Sequence, residues 1–172
     1  MIIANCAITL TDAELLKPCV MSKSDPEFAK LKVFHTGLDI SADKVFSVYK
    51  CRVVYIGSES SGRTIVLQTG SSFCICYKRM KELQVSLNDI LDPTYFVGTV
   101  DKYVHMEVYL KEKSQFPVSI GNDVWYKADA NLALNGGLST RDVYSYKETY
   151  NYQKTEYVTD LTNSIMNNSS EE

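Results

Sequence analysis

The sequence predicts a mainly β domain, and three observations carry that expectation. Between Lys44 and Lys78 the chain reads VFSVYKCRVVYIG, RTIVLQ and FCICYK, rich in β-branched and aromatic residues and parted by SESSG and TGSS, which predicts two successive hairpins. The stretch KYVHMEVYL alternates Tyr103, His105, Glu107 and Tyr109 with Val104, Met106, Val108 and Leu110, one face polar and one buried. A turn at Gly121-Asn122-Asp123 separates the strand-like runs FPVSI and VWYKA. A two-layer β-sandwich is one architecture that accommodates these strands.

Residues 2–10 form a short apolar strand. Thr11 to Glu14 then make a capping-box pattern that starts a brief helix toward Lys17 and stops at Pro18. Residues 22–32 predict a short helical turn capped by Asp25, with Pro26 at its first position. After the hairpins, Met80, Leu83, Leu87, Ile90 and Leu91 recur at helical spacing, so a helix is expected over 79–91, ended by Asp92-Pro93. Strands resume with TYFVGTV. Asn135-Gly136-Gly137 is a strong break, and beyond it Tyr144, Tyr146, Tyr150 and Tyr152 alternate in a surface hairpin or an arm extended onto a protein partner. The expected organisation is one β-rich domain over 1–140, a tyrosine-rich arm over 141–160 and a mobile acidic tail over 161–172.

Composition narrows the class. At 172 residues, 45% hydrophobic and 23% charged, the chain is globular material of single-domain size. Its apolar runs are too short to span a membrane and its N-terminus has no basic region before the apolar residues, so a soluble cytoplasmic protein is expected, in a host cytoplasm if it is viral, with no membrane partner. Its 5 cysteines are an odd number, and Cys6, Cys51, Cys74 and Cys76 lie in apolar strand contexts, as expected of reduced thiols. Cys74-Ile-Cys76 with Cys51 or His35 lacks the paired spacing of structural zinc sites, so neither a metal nor another cofactor is expected.

Charge is unevenly spread. The formal net charge is −3, yet residues 44–81 hold seven basic side chains and one acid, Glu59, while every other block is negative. Phe46, Tyr49, Tyr55, Phe73 and Tyr77 are interleaved with these bases. Cationic groups beside flat aromatic ones suit a polyanion with stackable bases, and the candidate nucleic-acid-binding residues are Lys50, Arg52, Tyr55, Arg63, Phe73, Tyr77, Lys78 and Arg79, with Trp125 and Lys127 as a weaker group. Strand parity puts Lys50 and Arg52 opposite Tyr49 and Tyr55 unless a bulge intervenes.

Catalytic chemistry finds less support. Residues 57–64 (GSESSGRT) approach a phosphate-binding loop, but Arg63 stands in the lysine's place and a strand follows where a helix is required, which predicts a hairpin loop. His35 and His105 have no spacing to a thiol that favours a nucleophilic pair, His105 reads as a surface imidazole, and Asp89, Asp92, Asp101 and Glu107 are accounted for by capping and solvation. The expectation is no catalytic residue and no enzyme.

Over residues 44–110 the order strand, strand, strand, helix, strand, strand resembles an OB-fold, and VFSVYKCRVVYIGSESSGRTIVLQTGSSFCICYKRMKEL is similar to the small phage-type single-stranded DNA-binding proteins. The resemblance implies a five-stranded OB-like barrel that binds single-stranded nucleic acid, in which Lys50, Arg52, Arg63, Lys78 and Arg79 neutralise phosphates and Phe73 and Tyr77 accept bases. The alternative is a non-enzymatic structural or adaptor protein, such as a virion component that assembles into a homo-oligomer.

Overall fold

The computed structural model describes residues 15–130, apart from Val48 and Ser72; the expected first strand, the capping box, the tyrosine arm and the acidic tail lie outside the described residues. The chain builds β1 (Leu15–Lys17), α1 (Pro26–Leu31), β2 (Leu38–Ser41), β3 (Lys44–Phe46), β4 (Cys51–Glu59), β5 (Gly62–Thr69), β6 (Phe73–Leu83), β7 (Ile90–Leu91), β8 (Phe96–Leu110), β9 (Pro117–Ile120) and β10 (Asp123–Ala128). Helix α1 starts as its sequence requires: the Asp25 side chain accepts from the Glu27 N–H at 2.9 Å, Pro26 occupies the first turn, and Lys32 closes the helix in the left-handed region.

All strands join one antiparallel sheet in the order β1-β2-β8-β6-β5-β4-β7, with β3 and β10 also pairing with β8, and β9 with β10. The sheet is therefore mainly β and open. Among the described residues the path ends at β1 and β7 without closing, so the expected OB-like barrel is corrected; a sandwich-like reading remains compatible. Strand β8 is the spine, with β6 along one edge and β3, β2 and β10 in succession along the other.

Alternation along β8 divides the interior in two. Val104, Met106, Val108 and Leu110 join the main core with Leu38, Ile40, Phe73, Tyr77 and Met80, while Tyr109 faces the opposite side with Cys74, Cys76, Ile120 and Trp125. The β9–β10 hairpin covers that second side, turning at Gly121 with φ +62°, a left-handed conformation that favours glycine.

The helix expected over 79–91 does not form. Strand β6 runs on to Leu83, pairing Met80 with Val100, Glu82 with Thr99 and Leu83 with Gly98. Met80 is fully buried, whereas Leu87 and Ile90, which a helix would have buried, are exposed. Long-range pairing with β8 overrides a local period here. Gly98 makes that pairing possible, because a Cβ at this position would collide with the Glu82 carbonyl oxygen and come within 2.9 Å of the Met80 methyl. Gly98→Ala is accordingly expected to force β6 and β8 apart at a cost of about 2–4 kcal/mol, read as a lowered urea midpoint.

Candidate metal centre

Three side chains from separate elements converge on the polar face of β8. An isolated bridge between Val20 and His35, with N–H to carbonyl distances of 2.8 and 2.9 Å, fixes the backbone that carries His35. Asp39 lies on β2 directly opposite His105 on β8. The His35 Nε2 to Asp39 Oδ1 distance is 3.3 Å, the His105 Nδ1 to Asp39 Oδ1 distance is 2.7 Å, and one donor atom from each residue lies within 4.8 Å of the others.

The outer nitrogen of each imidazole is held. His35 Nδ1 lies 2.8 Å from the Pro18 carbonyl, which can only accept, so Nδ1 carries a proton and Nε2 is turned toward Asp39. His105 Nε2 lies 2.9 Å from Glu107 Oε2 and 3.1 Å from the Thr36 carbonyl. Glu107 is itself buried and held by Tyr109 Oη at 2.8 Å, Thr36 Oγ1 at 3.3 Å and Lys127 Nζ at 3.4 Å. Lys127 reaches it from β10, whose pairing with β8 sets Lys127 opposite Tyr109. Gly37, at φ +141°, lets the β2 entry press on the imidazole: a Cβ there would stand 2.6 Å from the Met106 carbonyl oxygen and 2.7 Å from His105 Cε1 and Nε2.

Without a metal the cluster is an ion-pair chain. Burial would depress the His105 pKa, but its hydrogen bonds and charge interactions with Asp39 and Glu107 outweigh that and raise it to about 9. Burial would likewise raise both carboxylates, yet the bonds from His105 and His35 hold Asp39 well below the usual range, and His105 with Lys127 and Lys78 holds Glu107 at about 2. The thiols of Cys51 and Cys76 are pushed up to about 12, chiefly by burial, so they are inert neutral core groups.

Two further groups border the centre. Tyr103 precedes His105 by two residues and shares its face, and the Arg79 guanidinium lies over the Tyr103 ring at 4.0 Å from its centroid. Arg79 has φ +73° in the bulge between Lys78 and Met80, and its buried Nε has no hydrogen-bond partner.

The sequence-predicted residues scatter. Phe73, Tyr77 and Trp125 are 0%, 1% and 1% exposed, core residues with no face to offer a base. Tyr55 and Arg52 are exposed on β4, Arg63 is exposed near the β4–β5 turn, and Lys50 is half-buried before β4. A register shift between Val53 and Tyr55 turns Tyr55 outward while Tyr49 is buried. Of these residues Lys78, paired opposite His105, and Lys127, 3.4 Å from Glu107, adjoin the cluster, and Arg79 borders it through Tyr103. Sequence reasoning missed the centre itself. Its signals were the His35-x-x-x-Asp39 spacing around Gly37 and the pair His105-x-Glu107, but their meeting requires the β2–β8 pairing, which no local pattern encodes.

The expectation that no residues are arranged for catalysis or metal binding is corrected: His35, Asp39 and His105 converge as a group that could hold a metal ion. No family model and no curated protein matches the sequence. In fold, the chain is similar to a structure of the SpoIIQ–SpoIIIAH pore-forming complex, with a TM-score of 0.54 and 12% identity over 71% of this chain and 85% of that one. It is also similar to the catalytic domain of the prophage-encoded M23 protein EnpA from Enterococcus faecalis, at TM-score 0.48 and 17% identity over 58% and 82% of the two chains. A zinc-containing peptidase from Vibrio cholerae follows at TM-score 0.49 and 16% identity, over 68% of this chain and 35% of that one. With an open sheet in place of a barrel, a fold similar to the SpoIIQ–SpoIIIAH structure, and Phe73, Tyr77 and Trp125 buried, the resemblance of residues 44–110 to single-stranded DNA-binding proteins, the DNA-binding role and single-stranded nucleic acid as partner are corrected, and the structural or adaptor alternative is no better matched.

Proposed function

We propose that this chain is a zinc-dependent hydrolase acting on peptide bonds, with His35, Asp39 and His105 as the protein ligands. The observation that carries the proposal is the convergence of two imidazole nitrogens and one carboxylate oxygen, each imidazole oriented by an acceptor on its other nitrogen. In a tetrahedral site with bonds of about 2.0–2.1 Å, neighbouring ligand atoms stand roughly 3.3 Å apart. The His35–Asp39 separation of 3.3 Å matches that edge, and the 2.7 Å His105–Asp39 contact is the hydrogen bond that metal binding would replace. Two imidazoles and a carboxylate with a fourth position open is the donor set of hydrolytic zinc peptidases, whereas structural sites close all four positions.

Bound there, zinc would activate a water and polarise a scissile carbonyl. The chain's own residues prepare for that. The Pro18 carbonyl holds His35 in the tautomer that leaves Nε2 free, and Glu107 accepts from His105 Nε2 so that Nδ1 faces the centre. Lys127, Tyr109 and Thr36 fix Glu107, and the partial exposure of His35, Asp39 and His105, at 13%, 15% and 16% of their side chains, leaves the centre open to substrate.

Zinc or cobalt titration of the purified chain is expected to reach one metal per chain, with cobalt giving the intense visible absorption of tetrahedral coordination. His35→Ala, Asp39→Ala and His105→Ala are expected to abolish it, and Glu107→Gln to weaken it about 10–100-fold. Absence of saturable binding by the wild type would overturn the assignment, and hydrolysis of a casein or mixed-peptide substrate should follow metal occupancy. Gly37→Ala, which drives a methyl into the His105 ring, should weaken metal binding at least about tenfold, since even outer partners of a metal ligand carry that much.

The proton on His105 makes a separate prediction for the metal-free protein. A folded pKa of about 9, above the ordinary 6.5, contributes stability that is complete below pH 6.5 and is lost as the pH rises through 9. Denaturation of chelated protein at pH 6 and pH 9.5 should therefore differ by up to about 3 kcal/mol, and His105→Gln should remove most of that slope. Zinc affinity should rise over the same interval, because binding displaces that proton.

A further inference from the structure

We infer that Arg79, laid flat on Tyr103, is an anion-receiving subsite that selects peptides with an acidic side chain about two residues from the bond held at the metal centre. The inference rests on the metal-dependent peptidase reading for its substrate, and on Arg79 and Tyr103 for its chemistry.

The bulge puts Arg79 there. Phe73, Ile75 and Tyr77 face the main core from β6, and Cys74 and Cys76 face the other side. Regular alternation would send residue 79 into the main core after Tyr77. Instead Met80 takes that core position, and Arg79, the extra residue at φ +73°, swings its guanidinium onto Tyr103, which shares the face of His105. Residues two apart on a strand are roughly 7 Å apart, which is also the advance of two residues in an extended peptide. A substrate lying along β8 with one carbonyl at His105 thus carries a side chain two residues on over Tyr103 and Arg79.

Of Lys78, Arg79 and Lys127, the three bases next to the cluster, Arg79 is the one with no ion-pair partner among the described residues. Lys127 is engaged by Glu107 and Thr36, and Lys78 lies 4.0 Å from Glu59, whereas no carboxylate is paired with Arg79 among the described residues. The stacked guanidinium is planar and only half-buried, and its fork matches a carboxylate in two parallel hydrogen bonds.

The test compares two blocked peptides, acetyl-Ala-Gly-Asp-Gly-Ala-amide and its Asn counterpart, by chemical-shift titration of the full chain with and without zinc. The wild type should prefer the Asp peptide by about tenfold. Arg79→Gln should bind the two peptides equally while still taking up one zinc per chain, Arg79→Lys should keep only part of the preference, and Tyr103→Leu, which removes the platform but not the charge, should weaken it. Equal affinities in the wild type, or a preference that survives Arg79→Gln, would overturn the subsite. Failure of the metal reading appears separately as absent zinc uptake, and the Asp preference is then still expected in the zinc-free protein.

Discussion

Asp39 and His105 stand opposite one another in the β2–β8 ladder, 66 residues apart in the chain, and the 2.7 Å contact between them is the constraint on which the rest of the site turns. Because side chains alternate along a strand, a slip of one residue would move His105 and Glu107 to the main core and Met106 to the polar face. That would bury charge among Leu38 and Ile40 without partners, so the hydrophobic pattern of β8 and the polar cluster enforce the same register. Gly37 completes the alignment by allowing the β2 entry to approach the imidazole more closely than any side chain would permit.

Glu107 shows what this arrangement costs and how the fold offsets it. A carboxylate that is 3% exposed is unfavourable unless its oxygens are satisfied, and here Oε1 accepts from Tyr109 while Oε2 receives His105, Thr36 and Lys127. Lys127 reaches that oxygen only because β10 pairs with the end of β8, so the β9–β10 hairpin that roofs the second core also supplies the counter-charge. The hairpin and the centre are therefore one structural unit.

Elements set by local signals were legible in the sequence. The hairpins at 51–69 and 62–78, the β9–β10 turn and the Asp25-capped helix each follow from neighbouring residues. The 79–91 helix failed because Met80 and Leu83 share a helical spacing and a strand pairing, and Gly98, fifteen residues beyond Leu83, decides between them. The net positive charge of residues 44–81 was a true property of the chain with no single surface behind it: Arg52 and Tyr55 lie on β4, Phe73 and Tyr77 are core, and Lys78 and Arg79 border the His35–Asp39–His105 cluster. His35, Asp39 and His105 were each visible and each individually bland. What made them a site was pairing across the sheet, which composition and period do not carry.

The irregularities beside the centre follow from the same economy of burial. Arg79 and Lys102 both adopt left-handed conformations, at φ +73° and φ +77°, where the register of β6 against β8 shifts, and each non-glycine residue held there costs roughly 1–3 kcal/mol. Straight ladders would avoid that strain, but β6 would then point Arg79, and β8 would point Lys102, at the core shared by Met80, Val100 and Val104. An unpaired buried cation costs several kcal/mol, more than the bulge, so the strained form is the lower in energy. The bulges are thus the cheaper way for basic residues to follow core positions, and in taking it the chain turns a guanidinium onto Tyr103 at the border of its most polar cluster.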